Sequence, residues 1–164
     1  MTHSILFVCH GNTCRSPMAQ GLLRHMLKEA NRDNDFALAS AGTHARSIGT
    51  APDPRACDAA STRGADISDL RSRQAAAYDI ASHDLVLAMD EATRNELLGL
   101  APEATPGKVR LFLDFAPGYG LKDVPDPFDG NADDYMQALD LIEGGCAGLI
   151  TVLLQPSASP VSKP

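Results

Sequence analysis

Ser4-Ile5-Leu6-Phe7-Val8-Cys9 is a continuous apolar run, too short for a buried helix, and it reads as a central parallel strand. His10 to Arg15 follow as a Gly-containing loop, and Ser16-Pro17 reads as a helix start with Pro at the first helical position. Met18, Leu22, Leu23, Met26 and Leu27 then recur at helical spacing, carrying that helix to about Ala30. After a polar break, Phe36 to Ser40 reads as a second strand. Gly42 to Gly49 is a loop, and Pro52-Asp53-Pro54 opens a helix over Arg55 to Arg63 that Gly64 ends. Asp84 to Ala88 is a third strand, Glu91 to Gly99 a helix, and Lys108 to Leu113 a fourth strand. Gly118 to Gly130 is a long loop. Asp133 to about Leu154 is a last helix, with Met136, Leu139, Ile142 and Leu149 among its apolar positions and Gly144-Gly145 as an expected kink.

The resulting order, β-α-β-α-β-α-β-α, predicts an α/β fold: a three-layer, Rossmann-like (doubly wound) domain with a four-stranded parallel sheet flanked by helices. The expected domain is a single one over residues 1–155, followed by a Ser/Pro-rich tail, 156–164, expected to be disordered. In such sheets ligands bind beyond the carboxyl ends of the strands, so the loop after the first strand is the first place to look.

Composition narrows the classes. A chain of 164 residues can bury a core without disulfide or metal staples. Its 14 basic and 21 acidic residues give a net charge of −7, which argues against nonspecific nucleic-acid or anionic-membrane partners. No apolar run approaches the roughly 18 residues of a membrane span, and Met1-Thr2-His3-Ser4 lacks a secretory n-region. The four cysteines, Cys9, Cys14, Cys57 and Cys146, form no C-x2-C pair, and the histidines lack metal-ligand spacing. No metal and no cofactor are expected. A reducing cytoplasm is the expected compartment, and a monomer or weak dimer the expected state.

The charge is unevenly spread. Residues 111–143 hold eight acids against Lys122 alone, which accounts for the whole net charge. The acidic stretch surrounds the long loop after the fourth strand, away in sequence from Cys9, and is expected to favour partners with basic surfaces.

Cys9-His10-Gly11-Asn12-Thr13-Cys14-Arg15-Ser16 carries the candidate chemistry. Bare C-x5-R is weak, but here the Cys ends a buried strand, the loop contains Gly, and Arg-Ser-Pro starts a helix. Successive backbone N–H groups of His10 to Arg15 can curl into an anion nest, and the helix N-terminus adds partial positive charge. Arg15 can hold two phosphate oxygens with its planar fork. The same field, with Ser16 donating to sulfur, favours the thiolate of Cys9. Asn12 tolerates a left-handed conformation inside the loop. A nucleophile under a tetrahedral dianion implies attack on phosphorus through a phosphocysteine. Among sixteen Asp residues, Asp126 is the best candidate for the acid that protonates the leaving oxygen, because Pro125 and Pro127 stiffen its loop on the binding side.

The sequence resembles the low-molecular-weight protein tyrosine phosphatase family over roughly residues 3–154. The resemblance lies in Leu6 to Pro17, Ser40-Ala41-Gly42-Thr43, Pro52-Asp53-Pro54-Arg55-Ala56, Met89-Asp90 and Asp126-Pro127-Phe128. It implies a metal-independent, cysteine-dependent phosphomonoesterase acting on phosphotyrosine and small aryl phosphates, with phosphorylated proteins as partners. It also implies that Asp126 is general acid and then base, and that Phe128 forms an apolar pocket wall. Cys14 is either a small filler or the partner of Cys9 in a reversible disulfide; the resemblance implies the second. Departures from the family pattern are Asp129 where a second Tyr is common, Arg46 where an aromatic is common, and Leu70 in place of a His that braces the loop. Thr13 resembles the protein-arginine phosphatase branch, which makes phosphoarginine the alternative substrate. Arsenate reduction ranks below both, since Cys57 and Cys146 lack the close downstream pair it uses.

Overall fold

A computed structural model describes residues 2–155; the expected 156–164 tail lies outside the described residues. Four parallel strands, β1 (His3–Cys9), β2 (Phe36–Gly42), β3 (Leu85–Ala88) and β4 (Val109–Leu111), lie in the order β2-β1-β3-β4. The helices are α1 (Arg15–Glu29), α2 (Pro54–Ser61), α3 (Ala77–Ser82), α4 (Glu91–Leu100) and α5 (Ala132–Leu153).

The β1 run is apolar throughout because both of its faces are covered. Ile5, Phe7 and Cys9 point into the larger core with α1, α2 and α5, while Leu6 and Val8 point into a smaller one with Ile80 and Leu97. Phe7 meets Phe112 edge-to-face at 6.0 Å. The strand order reverses between β1, whose neighbours are β2 and β3, and the β3–β4 edge; the crevice of a doubly wound sheet opens at such a switch point. The loops after β1, β3 and β4 therefore share one end of the molecule.

Several expectations are corrected. A further helix, α3, lies between α2 and β3; its six residues are too few to show a periodic signal. The fourth strand is shorter than predicted, because Phe112–Phe115 coil into a 3-10 turn that drives Phe112, Leu113 and Phe115 under α5. Helix α1 begins at Arg15, so Pro17 is its third residue rather than its first, still within the turn whose N–H groups lack helical partners. Helix α5 runs unbroken through Gly144-Gly145. Those glycines serve close approach instead: a Cβ at either would collide with the Tyr119 or Phe112 ring. At 22 residues α5 is also long and apolar enough to cross a membrane by length and composition, contrary to the expectation that no segment is. Its Tyr135, Leu139, Ile142, Cys146 and Leu149 are instead buried in the core against α1 and α2.

Candidate active site

The loop after β1 is shaped from behind. Four of its carbonyls are drawn outward: Cys9 O accepts from Thr43 N at 3.0 Å, His10 O from His44 N at 2.8 Å, Gly11 O from Ser72 Oγ at 3.2 Å, and Thr13 O from Asp53 N at 2.9 Å. Turning the carbonyls outward leaves the intervening N–H groups to the inner side, as an anion nest requires, and Asn12 N–H meets Cys9 Sγ there. Asn12 is the keystone. It is buried at a left-handed φ of 58°, its Nδ2 donates to Ser16 Oγ (2.8 Å) and Ser40 Oγ (3.0 Å), and its Oδ1 accepts from Arg73 N (2.9 Å). Leu70, in the position of the bracing His, packs against the core, and the bracing comes from Ser40, Ser72 and the Arg73 backbone. Gly42 fits because a Cβ there would stand 2.7 Å from His10 O and 2.9 Å from Asn12 N.

Cys9 Sγ sits at the head of this loop, 3.3 Å from Asn12 N–H and 3.0 Å from Ser16 Oγ. Asn12 N–H donates to the sulfur, and in the Ser16 contact either atom can be the donor. Arg15 is only 2% exposed. Its Nη1 donates to Asp90 Oδ2 at 2.6 Å and Val124 O at 2.9 Å, which fixes the guanidinium plane and turns Nη2 toward the Asp126 carboxylate at 3.5 Å. Burial works against the Arg15 charge, but Cys9 and Asp90 outweigh it and hold its pKa above the ordinary arginine value. Burial likewise opposes charge on Asp90, and its contacts with Thr93 and Arg15 still bring its carboxyl below the usual range.

Cys9, His10, Gly11, Thr13, Cys14 and Arg15 line one side of a cavity of about 450 Å³. Arg46 and the unanticipated His44 and Ser47 form a second side, and Asp126, Phe128 and Asp129 a third. Asp126 Oδ2 lies 3.5 Å from Arg15 Nη2, and its Oδ1 accepts from Phe128 N at 3.2 Å. Phe128 is half exposed. His10 is exposed, and its ring stacks on that of His44 at 4.6 Å. The rim is therefore cationic on the Arg46 side and anionic on the Asp126–Asp129 side.

Cys14 is buried, lines the same cavity as Cys9, and has its Sγ 3.3 Å from Tyr135 Oη. Burial raises the thiol pKa of Cys14, as it does for Cys57 and Cys146. All four cysteines are free thiols.

Sequence reasoning left Asp90, Arg55 and Tyr135 without roles. Asp90 had a signal, since it follows β3 at the same edge at which the loop follows β1. It also caps α4, accepting from Thr93 N at 2.7 Å.

A cysteine at the head of an arginine-containing nest, opened at the switch point of a parallel doubly wound sheet and faced by a carboxylate, defines a class of cysteine-dependent phosphatase. Comparison with known proteins narrows it. The sequence profile described as low molecular weight phosphotyrosine protein phosphatase matches residues 4–158, and the chain belongs to that family. A low molecular weight protein-tyrosine-phosphatase of Streptomyces coelicolor is 35% identical over 156 residues, covering 93% of this chain and 94% of the relative. A protein tyrosine phosphatase structure from Entamoeba histolytica superposes with a TM-score of 0.87 at 30% identity, covering 93% of this chain and 97% of that one. The arginine phosphatase YwlE, solved with a phosphorylated active-site serine, has a TM-score of 0.83 at 29% identity, with 94% and 97% covered.

Proposed function

We propose that this chain is a single-domain cytoplasmic phosphatase that hydrolyses phosphotyrosine in proteins, and small aryl phosphates, through a phosphocysteine on Cys9. The observation that carries the reading is Cys9 Sγ at the head of a nest that also holds Arg15, with Asp126 across the cavity.

The Cys9 thiolate attacks phosphorus as the bond to the aryl oxygen breaks. Inward N–H groups and the Arg15 fork bind the equatorial oxygens and meet the charge of the transition state. Asp126 gives its proton to the departing phenolate. As a carboxylate it then takes a proton from the attacking water, the S–P bond breaks, and inorganic phosphate leaves with the thiolate restored. Phe128 supplies the apolar wall for the aryl ring. Four free thiols fit a reducing compartment, and Cys14, which lines the same cavity as Cys9, is the candidate resolving thiol for a reversible disulfide.

Phosphoarginine is the second reading. Its support is that Thr13 and Asp129 give the cavity polar walls that a guanidinium can use, together with the likeness to YwlE. The test is turnover of p-nitrophenyl phosphate with and without EDTA, followed by phosphotyrosine against phosphoarginine at matched concentration. The reading requires chelator-insensitive turnover and faster release from phosphotyrosine. Faster release from phosphoarginine would install the second reading, and no turnover would remove both.

A further inference from the structure

Arg55, the second residue of α2, lies outside the cavity and is half exposed, where an arginine ion pair ordinarily contributes little. Its contacts are unusually many. Nε and Nη2 grip Asp53 Oδ1 and Oδ2 at 3.0 and 2.9 Å. Nη2 also donates to Phe128 O at 3.1 Å and Nη1 to Gly130 O at 3.4 Å. The guanidinium lies over the Tyr135 ring at 4.8 Å and the Phe128 ring at 5.7 Å. Each partner leads back to the site. Asp53 N donates to Thr13 O of the nucleophile loop, and Tyr135 Oη meets Cys14 Sγ. Phe128 N donates to Asp126 Oδ1, so the bonded carbonyls belong to the segment that aims the acid.

A helix-capping pair would need Asp53 alone, which already accepts from Arg55 N at 2.9 Å. Nothing about capping calls for two carbonyls 73 and 75 residues away. We propose that the Asp53–Arg55 pair is a positioning device: it bolts the acid loop, through Phe128 O and Gly130 O, to the nucleophile loop, through Thr13 O, and so sets the reach of Asp126 over Cys9. Arg55 touches no reacting atom. A planar fork suits the task because its three nitrogens reach four acceptor atoms, both Asp53 oxygens and two carbonyls, whereas a lysine ammonium has three donors on one nitrogen.

The inference rests on the proposed hydrolysis, and leaving-group dependence separates the two. Arg55→Ala, Arg55→Lys and the wild-type chain are compared on phenyl, p-nitrophenyl and dinitrophenyl phosphate, with inorganic phosphate as inhibitor. A misplaced acid hurts only where the leaving oxygen needs its proton. Arg55→Ala should lower kcat/KM on phenyl phosphate by about tenfold or more and on dinitrophenyl phosphate by less than about twofold. Inhibition by phosphate should not change, and Arg55→Lys should fall between. Placed on Asp126→Asn, Arg55→Ala should cost nothing further on phenyl phosphate. Asp53→Asn, which keeps the helix cap, should show the same signature more weakly and serves if Arg55→Ala folds poorly. An equal loss on all three esters, or no loss, overturns the proposal while leaving the hydrolytic reading intact. A wild-type chain inactive on every ester would instead remove the hydrolytic reading.

Discussion

The two loops that meet over the cavity are built differently. The loop proposed to carry the nucleophile is buried and braced from several elements: Asn12, Cys14, Arg15 and Ser16 are each 3% exposed or less, with Ser40, Ser72 and the Arg73 backbone behind them. The loop proposed to carry the acid is open. Asp126, Phe128 and Asp129 are exposed, and the loop's described ties to the rest of the chain are Val124 N to Met89 O, Asp123 and Lys122 to Glu91, and those to Arg15 and Arg55. Charge stabilisation at phosphorus needs donors fixed before substrate arrives, because reorganising them would add to the barrier. A proton donor must reach leaving groups of different shape, and an open loop held at a few points allows that.

The contrast can be broken at its strongest point first. Cys9→Ser should lose turnover by at least about a thousandfold while inorganic phosphate still binds, because the nest does not depend on sulfur. Loss of phosphate binding as well would make Cys9 a structural part of the nest. Asp126→Asn comes next. It should lower kcat/KM on phenyl phosphate by about a hundredfold and leave dinitrophenyl phosphate and phosphate binding near wild type. A uniform loss across esters would remove Asp126 as the acid.

Gly42→Ala probes the braced loop from outside the chemistry. The added methyl meets His10 O and Asn12 N, neither of which can move without distorting the nest. We expect a stability loss of about 1–3 kcal/mol in denaturant unfolding and weaker phosphate inhibition. Unchanged phosphate inhibition would show that the loop yields more easily than its bracing indicates.

The smallest effect is a pH dependence. The folded-state pKa of Asp90 is depressed, so its contribution is present above the ordinary carboxylate value of about 4 and is lost as pH falls through the lowered one. Asp90→Asn should therefore be less stable than wild type at neutral pH, and the gap should close as pH drops below about 4. A gap that stays constant would mean that the Arg15–Asp90 pair contributes no charge-dependent stability.

Much of this arrangement was legible in sequence. The β1 run, the Gly-containing loop and the first helix are contiguous, and so they announce a nest at a strand end before any tertiary contact is known. The place of Asp126 at the cavity was legible through the prolines that flank it. The acid loop's support was not, because Arg55 and Tyr135 act over long chain separations and neither carries a local pattern. Asp90 lies between: its position after β3 was readable, but its pairing with Arg15 depends on how β1 and β3 sit side by side. Helix α3 and the curl of Phe112–Phe115 were missed for another reason. Short elements set by packing leave no periodicity, and there tertiary contacts override local preference.

Everything proposed for the two loops turns on a covalent intermediate at one atom. Rapid quench of the wild-type chain during turnover of p-nitrophenyl phosphate, followed by peptide mass spectrometry, reads that atom directly. The account predicts phosphate on the peptide carrying Cys9, localised to its sulfur, and none on peptides carrying Cys57 or Cys146. Turnover with no covalent phosphate, or with phosphate on any other residue, would contradict it.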